Sequence, residues 1–167
     1  MIKLEPFTTN DIPVMLNWNF SDDELVQFGG TAFTHPLTEQ QIVSFLNTDN
    51  SMFFKAIDTE NNVVIGVGEI VLMDDNIAKL ARIVIGDRES RGKGYGQRMM
   101  ISFVRYAHKE LLRENIILNV FDWNEGAIKC YEKIGFTFAD VPPRSFDLPN
   151  GKLWFTKQMN FTGFKKY

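Results

Sequence analysis

The chain has 167 residues, 44% of them hydrophobic and 23% charged, a balance that excludes a disordered chain and gives one domain, residues 1–167, enough core to fold without disulfides or metal. Its 18 basic residues stand against 21 acidic ones and Cys130 is its single cysteine, which argues against nucleic acid as a partner, a disulfide framework, and a Cys/His metal site. No apolar run approaches the roughly 20 residues of a membrane span, and Met1-Ile2-Lys3-Leu4-Glu5-Pro6 lacks the charged-then-apolar order of a secretory signal, so the expected location is the cytoplasm, with no membrane partner.

In chain order, Ile2 to Glu5 reads as a short first strand. Thr9 then caps a helix with Pro13 in its first turn and Ile12, Met15 and Leu16 on one side. Phe28-Gly29-Gly30-Thr31 reads as loop. Thr38 followed by Gln41 is a capping-box pattern, with Ile42, Phe45 and Leu46 as the apolar face of a second helix. Met52 to Ile57 and Val63 to Leu72 flank the polar turn Thr59-Glu60-Asn61-Asn62 and predict a hairpin. Asp74-Asp75-Asn76 turns into a third antiparallel strand, Ala78 to Ile85.

After a glycine-rich run, Met100, Phe103, Val104, Ala107 and Leu111 recur at helical spacing, and Ile116 to Phe121 reads as a buried strand, so this strand, helix and strand predict a parallel crossover. Asn124 caps a short helix carrying Ala127, Ile128, Tyr131 and Ile134, which Gly135 ends. Phe136 to Ala139 starts another strand. Pro142, Pro143, Pro149, Asn150 and Gly151 mark a long turn region before a last strand, Leu153 to Met159. The fold class is α/β with a mixed sheet, antiparallel at first and parallel at its middle.

The run Arg91-Gly92-Lys93-Gly94-Tyr95-Gly96 lies between a strand and a helix. There the first N–H groups of the helix lack carbonyl partners, and the positive end of the helix favours an anion. The glycines let the backbone turn and approach a ligand, while Arg91 and Lys93 bring positive charge. The alternative is an ordinary tight turn with solvated charges. A mononucleotide loop requires Ser or Thr after Gly-Lys, and Gly94 stands there. A dinucleotide loop requires three residues from second to third glycine, and Gly96 follows Gly94 by two. Asp122, as a ribose partner, keeps an NAD-binding reading in view.

Arg91, Gly94 and Gly96 form Arg-x-x-Gly-x-Gly, which resembles the coenzyme A signature of the GNAT superfamily of N-acetyltransferases. The stretch from Asn124 to Phe136 is similar to that family's Asn-x-x-Ala-x-x-x-Tyr-x-x-x-Gly-Phe segment. With the preceding helices and meander the resemblance covers Ile2 to Met159, and the overall pattern most resembles the ribosomal-protein branch. It implies an acyl-CoA N-acyltransferase fold with antiparallel N-terminal strands and a central parallel βαβ unit. The cosubstrate implied is acetyl-CoA, with no metal. Its pantetheine arm would lie along Ile83, Val84 and Ile85, its pyrophosphate on the backbone of Arg91, Gly92, Lys93, Gly94, Tyr95 and Gly96, and Asn124 would contact the pantetheine chain.

The reaction implied is direct attack by a neutral primary amine, on a protein N-terminus or a small molecule, with Tyr131 protonating the departing thiolate. Tyr131 is otherwise a core aromatic. Glu69 is the candidate base, directly or through water; its other reading is an outward-facing glutamate on an amphipathic strand. Ribosomal-protein acetyltransferases that resemble this chain carry a glutamate where it has Asn119. Trp18, Phe20, Phe28 and Phe33 fall where the family places its acceptor wall, or else pack as core. Cys130, His35 and His108 carry no chemistry in this reading. The alternatives are a catalytically silent coenzyme A sensor and the NAD-binding enzyme. Exposed sheet edges allow a homodimer.

Overall fold

The structure, a computed structural model, describes every residue except Asp75, Pro149 and Tyr167, so the expected turns at Asp75 and Pro149 lie outside the described residues. Its strands are β1 (Ile2–Pro6), β2 (Ser51–Asp58), β3 (Val63–Leu72), β4 (Ile77–Ile85), β5 (Asn115–Phe121), β6 (Phe136–Phe138), β7 (Arg144–Asp147) and β8 (Leu153–Phe161). They form one mixed sheet in the order β1-β2-β3-β4-β5-β8-β6, with β7 also on β8. Only β4 and β5 pair in parallel among the described residues, as the crossover predicts.

The helices are α1 (Ile12–Asn17), α2 (Asp22–Gly29), α3 (Glu39–Leu46), α4 (Tyr95–Lys109) and α5 (Glu125–Ile134). Neighbouring residues of β2 point into different cores, because side chains alternate across a strand. Phe54 joins Met99, Phe103, Val104 and Ala107 of α4, with α5 beside them. Phe53 joins Ile12, Met15, Leu25 and Ile42 of α1 to α3. Both faces of the sheet are therefore covered.

Several local expectations change. The first turn is capped by Thr8, one residue earlier than expected: its N–H (2.8 Å) and hydroxyl (2.9 Å) donate to the Asp11 carboxylate, and Thr9–Asp11 is a short 3-10 turn leading into α1. Phe28 and Gly29 belong to α2. That helix starts at a capping box in which the Ser21 hydroxyl accepts from the Glu24 N–H (3.2 Å) and the Glu24 carboxylate accepts from the Ser21 N–H (2.9 Å). At α3, Thr38 accepts from the Gln41 N–H (3.3 Å), but the Gln41 side chain binds the backbone of Thr34 and Pro36, so only half of the box forms. Helix α4 ends at Lys109, leaving Leu111 beyond it. The proline-marked region holds strand β7, tolerated there because Pro142 and Pro143 precede its pairing with β8. The last strand runs on to Phe161.

Candidate functional site

The parallel pairing of β4 with β5 runs only from Ile77↔Asn115 to Leu80↔Leu118. Beyond it the strands lean on outer partners: Val84 and Ile85 pair with β3, and Asn119 to Phe121 pair with β8. The inner edges separate into a cleft of about 830 Å³, lined by Ile83, Val84 and Ile85 on one side and Asn119, Val120 and Phe121 on the other. Asn124, Ala127 and Tyr131 close it from α5, and Phe28, Gly30 and Phe146 from α2 and β7.

A bulge shapes the β4 wall. Val67 pairs with Val84 but Glu69 with Ala81, so Arg82 and Ile83 together oppose one residue of β3. Arg82 takes a φ of 49°, a left-handed conformation that costs a non-glycine residue about 1 kcal/mol or more and marks a place where the fold aims a side chain. The slip moves Arg82 to the α1–α3 face, beside Lys79, while Ile83 packs against the α4 core.

Arg91, the first residue of the glycine run, lines this cleft, and the rest of the run leads from it into α4. Gly92 and Gly94 have φ of 75° and 77°, conformations glycine adopts without strain. Gly94 caps α4, and the Arg98 N–H reaches its carbonyl (3.2 Å). The N–H groups of the preceding residues at this helix start have no carbonyl behind them. A Cβ added at Gly92, Gly94 or Gly96 would meet nothing within 4 Å, so the backbone here faces open space.

The charges beside it are arranged differently from the sequence reading. Arg91 donates through Nε to the Ile85 carbonyl (3.0 Å) and through a terminal nitrogen to Glu24 (2.8 Å), whose other oxygen takes Arg88 (3.2 Å). Burial raises the Glu24 carboxyl, and the Ser21 N–H with the two arginines outweighs it, holding the group below its usual range. Arg91, though exposed, therefore fastens the loop to β4 and α2, and Lys93, also exposed, is the cation of the run outside that ion pair. Arg98, one turn into α4, adds a second, donating to the Lys93 carbonyl (3.2 Å). The Tyr95 side chain points elsewhere: its hydroxyl donates to buried Asp58 (2.7 Å) with Arg98 over its ring. Only the Tyr95 backbone belongs to the loop.

Asn124 accepts the Ala127 N–H through its side-chain oxygen (3.2 Å), so it caps α5 while its NH2 has no partner among the described residues. Tyr131 lines the cleft about two turns later, its ring 6.0 Å from that of Phe136. Burial, and to a lesser degree Cys130, pushes its phenol far above the usual value. Cys130 is half-buried and its thiol is raised by burial, as suits packing.

Glu69 is buried, 2% exposed, so the outward-facing reading fails: the second face of the sheet is itself covered by α1 to α3. Its two oxygens accept from Ser51 Oγ and from Arg82. It lines a second cleft of about 770 Å³ beneath α3, with Ser51, Ser44, Phe45, Lys79 and Arg82. Lys79 and Arg82 line both clefts and so lie at their junction. Trp18, Phe20, Phe28, Phe33, Phe45 and Phe53 form a continuous run of ring contacts from 4.7 to 6.1 Å, mostly core, with Phe28 reaching the cleft. Trp18 lies on Gly86, where an added Cβ would be 2.0 Å from the indole. His108 packs on Phe161 (5.7 Å), and Asp122 is exposed outside the cleft lining. Among the described residues, no group of three or more His, Cys, Asp or Glu could hold a metal ion and no helix is long and apolar enough to cross a membrane.

The sequence profile of the acetyltransferase (GNAT) domain matches residues 2–137. An N-acetyltransferase 9-like protein of Nematostella vectensis is 25% identical over 150 residues, 81% of this chain and 74% of that one. The SPbeta prophage-derived uncharacterized N-acetyltransferase YokL of Bacillus subtilis (strain 168) is 28% identical over 83 residues, and the match spans 50% of this chain and less than half, 46%, of that relative. Among solved structures, spermidine N-acetyltransferase from Vibrio cholerae, in complex with CoA and spermine, superposes with a TM-score of 0.78 at 20% identity, over 96% of this chain and 94% of that one. At that identity the likeness is one of fold.

Proposed function

The chain belongs to the GNAT acetyltransferase family, and from that premise we propose that it is a cytoplasmic enzyme transferring the acetyl group of acetyl-CoA to a primary amine by direct attack. The observation that carries this reading is the divergence of β4 from β5 into a cleft that starts at the glycine loop and passes Asn124 and Tyr131. The residues fit the cosubstrate. The open backbone at Gly92, Gly94 and Gly96 leaves room for a pyrophosphate against the start of α4. The unpaired edge at Ile83 to Ile85, with the spare amide of Asn124 opposite, offers the backbone partners that an amide-bearing pantetheine arm needs.

Bound acetyl-CoA supplies the activated acetyl thioester. Tyr131, kept neutral by burial, holds a proton to offer a departing thiolate. The incoming amine has to be neutral to attack. The cleft helps, because a cation-lined, partly desolvated wall disfavours an ammonium, as it does for Lys79, whose amine is lowered by burial first and by Arg82 next. Glu69 is the acceptor of that proton, reached through the polar cleft under α3. Phe138, Leu153 and Phe155 are 45%, 50% and 41% exposed on β6 and β8, which supports self-association into a homodimer.

The test is release of free thiol from acetyl-CoA across peptides, polyamines and other small amines. Tyr131→Phe is expected to lower kcat by about 10²-fold and leave acetyl-CoA affinity within about twofold. An unchanged kcat removes the acid role of Tyr131, and absence of acetyl-CoA binding removes the transferase reading.

A further inference from the structure

The charged side chains lining the inter-strand cleft are Glu24, Lys79, Arg82, Arg91 and Arg144. Glu24, the sole carboxylate in this set, has its oxygens on Arg91 and Arg88 at the loop end. The remaining cations gather at the other end. Lys79 lies six residues before Ile85 on β4, roughly 20 Å along an extended strand, and so stands well away from the site proposed for the pyrophosphate. Arg82 is turned into the same region by the bulge, and Arg144 reaches it from β7.

These three cations are poorly balanced. Glu69 is bonded to Arg82 and Ser51, while Arg82 Nε is buried with no hydrogen-bond partner. Lys79 and Arg144 form no ion pair among the described residues. Asp49 also lines the adjoining cleft and, like Arg144, is exposed; it does not line the inter-strand cleft. Lys79 and Arg82 are half-buried and Arg144 is exposed beside them, and like charges gathered at a part-buried wall are costly unless an anion offsets them. Such a wall also repels a polycation.

We infer that the acceptor is a small primary amine that carries an anionic group, a carboxylate or phosphonate, held by Lys79, Arg82 and Arg144 while its amine faces the thioester. This rests on the transferase reading of the cleft. Burial first, then Arg82 and to a smaller degree Arg144 lower the Lys79 amine, against the opposing charge of Glu69, so an anion placed among the three relieves repulsion that Glu69 offsets only in part. Arg82 and Arg144 further supply the planar donor pairs that bind such groups bidentately.

The experiment compares matched amines by thiol release: L-methionine with L-methioninamide, L-phenylalanine with L-phenylalaninamide, 2-aminoethylphosphonate with ethanolamine, and spermidine alone. Acetyl-CoA binding is measured separately by calorimetry. The anionic member of at least one pair is expected to exceed its neutral partner at least tenfold in kcat/KM, and which pair does so separates carboxylate from phosphonate. Arg144→Gln and Lys79→Gln are each expected to cut that preference at least fivefold, mainly through KM. If acetyl-CoA binds but no amine turns over, the same pairs titrated into the CoA-loaded protein decide the question by affinity. Neutral amines or spermidine matching or exceeding the anionic members overturns the inference alone, as does a preference intact in both variants. Loss of acetyl-CoA binding in the wild-type protein overturns the transferase reading instead.

Discussion

Replacing Gly96 by alanine is expected to raise stability and lower cosubstrate affinity together. Gly96 is the second residue of α4 and, unlike Gly92 and Gly94, does not take a positive φ. An added methyl would meet nothing within 4 Å. Alanine therefore incurs no clash and no backbone strain, and it reduces the freedom of the unfolded chain. In the first helical turn that is worth about 0.5 kcal/mol, or about 1–2 °C in Tm for a chain of this size. The same methyl occupies space the proposed pyrophosphate needs, at an expected loss of about tenfold in acetyl-CoA affinity, ~1.4 kcal/mol. Thermal denaturation of the ligand-free protein and calorimetry with acetyl-CoA give the two numbers. S-acetylpantetheine, which lacks the phosphates, is the control and should bind both proteins equally. An unchanged acetyl-CoA affinity refutes the phosphate cradle, and a fall in Tm refutes the claim that the backbone at Gly96 is ordinary helix beside open space.

Glu69→Gln leaves Arg82 without its counter-charge; with Arg82 29% exposed, the expected loss is about 1–3 kcal/mol rather than the ~3–5 of a fully buried pair. As acceptor of the amine proton, Glu69 also carries part of kcat, so this variant should lose about 10²-fold in kcat with acetyl-CoA affinity unchanged, and an unchanged kcat removes it as base. Saturation with CoA at about 100 times its Kd adds ~2.7 kcal/mol and should raise Tm by about 5–10 °C; no shift contradicts the coenzyme reading. Asp58 lies below its usual 3.8, chiefly through the bond from Tyr95 and then Asn61, and Glu24 lies below 4.5. Both contribute stability above those values that is lost as pH falls through the lower, folded values. Melting temperature should hold down to about pH 5 and fall below about pH 4, and Asp58→Asn should flatten that fall.

The glycine loop, Asn124 and Tyr131 are readable in sequence because each depends on local rules: a positive φ, a helix start, one face of a short helix. Helix α2 has an equally local signal in Ser21 and Glu24, but Gly29-Gly30 reads as loop when the helix merely ends there. Strand β7 is masked by Pro142 and Pro143, which stop pairing just before it starts. Arg82 is beyond such rules. Its place on the α1–α3 face follows from an extra residue in β4 relative to β3, a property of the pairing of two strands and not of either one. For the same reason Glu69 reads as solvent-facing until the helices that cover its side of the sheet are in place, and Lys79, Arg82 and Arg144 become neighbours only in three dimensions.

The separation of β4 from β5 leaves an open strand border in the middle of the sheet, in addition to its two outer rims. Such a border can recruit a strand from another molecule as readily as it accepts a ligand. The bulge at Arg82 and the charges of Lys79 and Arg144 are the devices by which proteins keep a border from zipping to a stranger. The features proposed to hold one small guest thus have a second use against self-recruitment of the ligand-free protein, and neutralising them should make it aggregate more readily when coenzyme is scarce.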